Sequence, residues 1–347
     1  MGMAVREGRT GREQMAPARL TALAAQVASA PRIALAALAA LFLAAGCDPE
    51  LNEIEVGPRL PVATAYDGGS WEMLGVLNCG RGLSCFAFWS PERGLVGGRS
   101  GVILRWQDGR VWNQDLPLRS SVIGLATQRP GIAYALLANN AVFRLDGTGW
   151  TRDRLADNGW QLRRIWCDQD GVVTIAGDHG RICGRNGGVW STVSLGLEED
   201  LVDIWGPGDG ELWLIGKAGA LVHHEDGQWL VEWPFAADEK LVDVSGDQSG
   251  DAVVVGQLPS GQTNRCRVHW RQDGVWRDLP PLHDNVYSAI LLAGRPLLFG
   301  PTSFYWWDGA QWVRQWMSDD GPRYIRDAVV AGDMALGLDD DDNLIRW

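Results

Sequence analysis

The sequence predicts an all-β fold, a seven-bladed β-propeller of four-stranded antiparallel blades, and three observations carry the prediction. Asp-Gly or Asn-Gly pairs followed closely by tryptophan recur seven times. The recurrence keeps a period near forty residues, the size of one four-stranded blade. The two ends of the chain carry complementary parts of one such unit.

The repeat runs through Asp67-Gly68 with Trp71, Asp108-Gly109 with Trp112, Asp146-Gly147 with Trp150 and Asn186-Gly187 with Trp190. It continues through Asp226-Gly227 with Trp229, Asp273-Gly274 with Trp276 and Asp308-Gly309 with Trp312. Steps between these tryptophans are 41, 38, 40, 39, 47 and 36 residues. Asp-Gly and Asn-Gly suit the tight hairpin whose central residues take positive φ. A β-rich run precedes each pair, as in Val102 to Trp106 or Ala220 to His224, so each unit ends in a hairpin. A second mark, Phe88-Trp89, Ile165-Trp166 or Ile204-Trp205, closes an earlier strand, with Ala126-Thr127 and Val244-Ser245 as weaker copies. A further strand follows each of these turns, among them Val172 to Ala176 and Glu211 to Ile215.

The last unit stops after its third strand, Asn343 to Trp347. The missing turn and fourth strand stand at the other end, from Tyr66 to Leu74. An N-terminal strand completing the C-terminal blade closes the ring and removes two sheet edges. The rival architecture is an open stack of sheets. The repeat tryptophans, out of 19 in all, are expected to pack between blades that splay outward from the axis. Trp160, Trp233 and Trp316 fall outside the repeat and are expected to be less constrained.

Residues 1–46 read as an export signal. Ile33 to Ala45 is an unbroken apolar run of thirteen residues preceded by Arg19 and Arg32. A positive flank, a short apolar stretch and small residues at its end suit secretion and fall short of a bilayer span. Met3 and Met15 are alternative starts, and Met15 gives a more ordinary signal length. Residues 47–62 hold Pro49, Pro58 and Pro61 and read as a flexible tether, leaving 63–347 for the propeller. The net charge is −12, and about −15 remains once the basic leader is set aside. An acidic body repels phosphate backbones, which disfavours nucleic acid as a partner.

Two resemblances add to this. Leu43-Ala44-Ala45-Gly46-Cys47 resembles a bacterial lipobox, with its leucine one place further from the cysteine than is usual. That resemblance implies lipidation of Cys47 and a bacterial envelope location; ordinary cleavage with a free cysteine is the alternative. Asp48 resembles an inner-membrane retention signal. The stretch from Ile204 to Trp229 resembles repeats of exported myxobacterial proteins: Trp-Gly, a polar turn, Val-Trp-Ala-Val-Gly, Gly-Thr-Ile-Leu-His, then Asp-Gly and Trp. The likeness is sharp in this unit and faint over 241–345. It implies a propeller in the envelope and implies no activity. The copies lack the Ser or Thr that precedes the Asp in sialidase Asp-boxes.

Chemistry is sparse. Cys79 and Cys85 flank a short loop and are expected to pair. Cys167 and Cys183 are expected in the first and third strands of one blade, about 9–10 Å apart and too far to bridge. Cys266 has no evident mate. His179, His223, His224, His269 and His283 form no zinc spacing, and His223 and His224 alternate across a strand. Asp339, Asp341 and Asn343 alternate in the densest acidic run and could present oxygens to Ca²⁺, although the Gly and distant Glu of an EF-hand are missing. A solvated turn is the competing reading. No nucleophile elbow, phosphate loop, dinucleotide fingerprint or zincin pattern occurs.

A fold does not fix a function. The sequence favours a non-catalytic binding or scaffold module for protein or glycan partners in the envelope. An envelope hydrolase or lyase, or a structural spacer, is the alternative. A ligand would meet the funnel mouth at loops carrying Arg99, Asn139, His179, Lys217 and Asp339.

Overall fold

A computed structural model describes residues 53–54, 72–77 and 82–346, apart from 148, 154–158, 209, 302, 317–323 and 333. The leader, Cys47, Cys79 and Trp71 lie outside the described residues.

Seven antiparallel sheets follow one another along the chain. Their innermost strands are Leu83–Ser90, Val122–Arg129, Leu162–Cys167, Leu201–Trp205, Lys240–Gly246, Ser288–Leu292 and Ile325–Ala331, which define blades 1 to 7. Each inner strand lies against the inner strand of the next blade, and that of blade 7 lies against that of blade 1. The sheets therefore come round on themselves. Glu72–Val76 pairs antiparallel with Asn343–Arg346 as the outer strand of blade 7, with Met73 opposite Ile345 and Gly75 opposite Leu344. This is the predicted closure; residues 66–71 fall outside the described set. Part of the expected tether is docked rather than free, since Glu53 and Ile54 pair with Trp112 and Val111 as a fifth strand on blade 1.

The core is distributed over the seams. Each of seven hydrophobic clusters spans one pair of neighbouring blades. The cluster at the closure joins Leu336, Leu338 and Leu344 of blade 7 to Leu83, Phe86 and Val96 of blade 1. Second strands such as Val173–Gly177 and Leu212–Gly216 are buried along their whole length, as sheets covered on both faces require. Trp150, Trp190, Trp229, Trp276 and Trp312 pack against seam clusters, half-buried, in line with a packing role. Trp233 is 59% exposed, whereas Trp160 is buried and covers Gly177, contrary to expectation.

Turn chemistry follows the predicted pairs. Asp108-Gly109, Asp226-Gly227 and Asp273-Gly274 all take positive φ at both positions. Blade 3 differs: Asn186 pairs with Val189, and Gly187-Gly188 supply the two positive φ values.

Candidate functional site

The site grows from a defect repeated in six blades. After its first buried residue, the inner strand slips by one residue against the second strand, between Leu83 and Cys85, Val122 and Gly124, and Leu162 and Arg164. The same slip lies between Leu201 and Asp203, Leu241 and Asp243, and Ile325 and Asp327. A bulge re-aims the side chain that follows it. The residues after the bulges, with Ser288 of blade 6, line one narrow axial cavity of about 200 Å³. This ring thus contains Cys85, Gly124, Arg164, Asp203, Asp243, Ser288 and Asp327.

Its three carboxyls cross the seams. Asp203 Oδ2 accepts the Val244 N–H at 3.0 Å, and Asp243 Oδ2 accepts the Ala289 N–H at 2.6 Å. The N–H groups of Ala328 and of Phe86 in blade 1 face Asp327 and favour its ionised form. Inner strands present unpaired N–H groups to the axis, and each carboxyl satisfies one belonging to the next blade. Arg164 projects into the channel with Nε 3.3 Å from Asp203 Oδ1. Desolvation followed by the charge and hydrogen bond of Asp203 holds the Asp243 carboxyl well above the usual range. Desolvation also lifts Asp327 to about 7, with Arg164 opposing and Asp203 assisting. Desolvation disfavours the Arg164 guanidinium, yet the fields of Asp203, Asp327 and Asp243 outweigh it and raise its pKa. Burial, then Asp327, pushes the Cys85 thiol up to about 12.

From the ring the channel widens. A middle cavity of about 340 Å³ shares Asp203, Asp243 and Asp327 with the ring and shares Phe88, Trp166 and Trp205 with the mouth. The mouth holds about 730 Å³ among the turns joining first and second strands. Trp166, Trp205 and Phe88 form its aromatic wall, and Gln169, Gln248 and Ser249 stand exposed on its rim. The tryptophans are fixed across the seams. A Cβ at Gly206 would lie 2.9 Å from the Trp166 ring, and one at Gly246 would overlap the Trp205 ring. Asp168 is buried, and its Oδ1 accepts the Val172 N–H at 2.7 Å, which braces the turn. Cys167 also lines the mouth, its thiol pushed up to about 12 by desolvation and then by Asp168.

The residues expected at a ligand face lie at the other end. Arg99, Asn139, His179 and Lys217 are exposed on turns between second and third strands, and none of them lines the three axial cavities. Arg99 and His179 sit on short 3-10 turns, and His179 Nδ1 is 3.2 Å from the Glu198 carbonyl. Asp339 is a correction: it is 1% exposed. Its Oδ1 accepts the N–H groups of Asp341 and Asn343, and its Oδ2 accepts Asn343 Nδ2 at 2.7 Å. Asp339 is folded inward to brace the turn while Asp340 and Asp341 stay exposed, because the N–H groups of a tight turn need an acceptor. Cys85 is a buried free thiol with Sγ 3.7 Å from the Val122 carbonyl of blade 2, and Cys79, its expected mate, lies outside the described residues. Cys167, Cys183 and Cys266 are free thiols as well.

Two histidines, His223 and His269, are held by neighbouring carboxylates. His223 stacks on Trp213 with centroids 3.8 Å apart and meets Glu211 at 2.9 Å. His269 lies buried between Glu239 at 2.9 Å and Asp278 at 2.7 Å. Desolvation opposes the His269 imidazolium, and the hydrogen bonds and charges of the two carboxylates overcome it, so its pKa is raised.

The ring escaped sequence reading although a signal exists. Leu201-Val202-Asp203, Leu241-Val242-Asp243 and Ile325-Arg326-Asp327 place an acid two residues after an apolar one at the blade period.

No protein-family model matches the chain, and no curated protein matches it in sequence. Solved structures do. YCF48 bound to a D1 peptide superposes with a TM-score of 0.65 at 16% identity, over 82% of this chain and 98% of that one. A catalytically inactive virginiamycin B lyase from Staphylococcus aureus with quinupristin gives 0.67 at 12%, over 80% and 98%. The WD40 β-propeller domain of Doa1 gives 0.64 at 9%, over 81% and 98%. At such identities the likeness carries the architecture alone, and on that ground, with seven closed blades, the chain is a seven-bladed β-propeller.

Proposed function

We propose that this protein is a non-catalytic binding scaffold of the bacterial cell envelope, lipid-anchored through Cys47, that seats a protein partner in the wide mouth of its channel. One observation carries the reading: a cavity of about 730 Å³ with an aromatic wall and a rim of exposed polar side chains. Aromatic surface with a few polar groups is what buries a partner's side chains while fixing their orientation. The nearby thiol of Cys167 is held protonated and is a poor nucleophile. The YCF48 structure, a propeller of this architecture bound to a peptide, supports a protein partner.

The rival reading, an envelope hydrolase or lyase, draws on the convergence of Asp203, Asp243 and Asp327 with Arg164, and on the lyase among the structural neighbours. Each of those carboxyls already braces a strand of the next blade. The scaffold reading needs no second duty from them.

In-cell photocrosslinking decides between the two ends of the channel. A photoreactive residue at Gln169, Gln248 or Ala293 is expected to capture a discrete protein adduct. The same probe at His179 or Lys217 is expected to give none. Adducts from His179 and Lys217 alone would place the binding face at the opposite end, and adducts from neither set would remove the scaffold reading. The anchor has its own test: the wild type should incorporate labelled palmitate and fractionate with membranes, and Cys47→Ser should do neither. A Cys47→Ser protein that stays labelled refutes the anchor.

A further inference from the structure

The ring of blade-end residues holds three carboxyls and one guanidinium in a cavity of about 200 Å³. They come from four blades: Arg164 from blade 3, Asp203 from blade 4, Asp243 from blade 5 and Asp327 from blade 7. Blade 1 adds the Cys85 thiol, and blade 6 adds the hydroxyls of Ser288 and Tyr287; blade 2 adds Gly124 and the apolar Ile123 and Leu125. Arg326 lines the same cavity, but its guanidinium is drawn off to the carbonyls of Leu83 and Asp340, each at 2.7 Å, and to Asp342. Arg164 is therefore the counter-charge of the ring.

Charge balance follows by inspection. Fully ionised, the ring carries three negative charges against one positive. Burial and the facing charge of Asp203 hold Asp243 toward its protonated form. A second proton, on Asp327, brings the ring to neutrality. The same carboxyls join blade 4 to 5, blade 5 to 6 and blade 7 to 1 through the N–H groups of Val244, Ala289 and Phe86. The N–H groups favour the ionised carboxyls, whereas burial and mutual repulsion favour the protonated ones, so the charge on the ring bears on the seams it crosses.

We propose that the ring is a proton-operated latch: with two protons bound it is charge-balanced and holds the inner strands closed around the channel, and loss of those protons loosens the three seams. This is independent of which partner occupies the mouth. The sign follows from linkage. A carboxyl bound more tightly to its proton when closed than when open favours the closed state at low pH. That advantage is lost as pH rises from the ordinary carboxylate range toward the closed-state value of about 7 for Asp327. Above that value the curve levels off.

Hydrogen exchange on the full chain, corrected for the intrinsic chemical rate, reads this directly. Opening of Leu83–Ser90, which faces Asp327, should rise by more than about tenfold between pH 5 and pH 7 and then level off, and opening of Ser288–Leu292, held by Asp243, should change in the same direction. Val122–Arg129 of blade 2, which receives no carboxyl from its neighbour, should stay flat and serves as the internal reference. Asp327→Asn keeps an acceptor oxygen and fixes the neutral state, so the rise at Leu83–Ser90 should vanish while that at Ser288–Leu292 remains. A flat wild-type profile, or an equal rise in blade 2, overturns the latch even if the variant fails to fold. Retention of the full rise at Leu83–Ser90 in Asp327→Asn overturns it too.

Discussion

Gly246→Ala should destabilise the protein by about 2–3 kcal/mol, while Gly184→Ala should change its stability by less than about 0.5 kcal/mol. Both glycines lie in strands, and neither has the positive φ that would make alanine strained for backbone reasons. They differ in what the new methyl meets. At Gly246 it overlaps the ring of Trp205 from blade 4 and the carbonyl of Asp251, both fixed. At Gly184 the nearest atom is Ser191 Oγ at 3.8 Å, an ordinary contact. Overpacking between rigid sheets forces either the ring off its rotamer or the two strands apart. Urea unfolding of the two variants beside the wild type measures the difference. A double-mutant cycle with Trp205→Ala isolates the seam: removing the ring should recover part of the Gly246→Ala penalty, the part due to Asp251 remaining. Equal midpoints for the two glycine variants would sink the account.

That seam also explains how much of the fold is legible in the sequence. Trp166 needs Gly206, and Trp205 needs Gly246, so each tryptophan dictates a glycine one blade later. A requirement between residues about forty apart writes a period into the chain, and that period is what identifies the blades. The marks are less secure where the requirement lapses. Register places Ala87, opposite Leu95, where Trp166 stands opposite Thr174; Phe88-Trp89 therefore lies two residues beyond the matching place. Ala126-Thr127 is off by one for the same reason. Blade 1 has an inner strand of eight residues against six in blade 3, and the extra length carries its aromatic pair further along.

The site was far less legible. Its ring depends on a one-residue bulge, and a bulge reverses which side chains face the axis without changing composition. Sequence alternation alone assigns Asp203 and Asp243 to no particular face. Asp339 looked exposed because four aspartates in a row suggest solvent, whereas the turn N–H groups draw its carboxylate inward. Arg99, Asn139, His179 and Lys217 lie on turns between second and third strands, whereas the aromatic-walled cavity opens among the turns at the opposite end.

Leu344→Ala should cost about 3 kcal/mol or more, against less than about 0.5 kcal/mol for Val275→Ala on the exposed outer strand of blade 5. Leu344 is 0% exposed and Val275 is 55% exposed. Leu344 also sits where the ends of the chain meet, opposite Gly75 on the strand that completes blade 7. It packs with Leu74, Leu77 and Leu338 and with the blade 1 face of the same cluster. Polar groups lock the same seam: Asp342 Oδ1 accepts the Leu83 N–H at 2.8 Å, and the Asp342 carbonyl accepts the Leu77 N–H at 3.1 Å. A cavity here loses dispersion contacts that Asn343–Arg346 cannot recover by relaxing, because that strand is paired on both edges. The shape of the transition matters as much as its midpoint. In a closed ring every blade has two neighbours, so weakening the closure lowers the midpoint of one cooperative transition. In an open stack, blade 7 would be a terminal repeat that frays alone, and Leu344→Ala would add an early, separate transition confined to residues 325–346. Thermal unfolding followed by circular dichroism and by limited proteolysis distinguishes the two, and an early transition of that kind is incompatible with the closed ring.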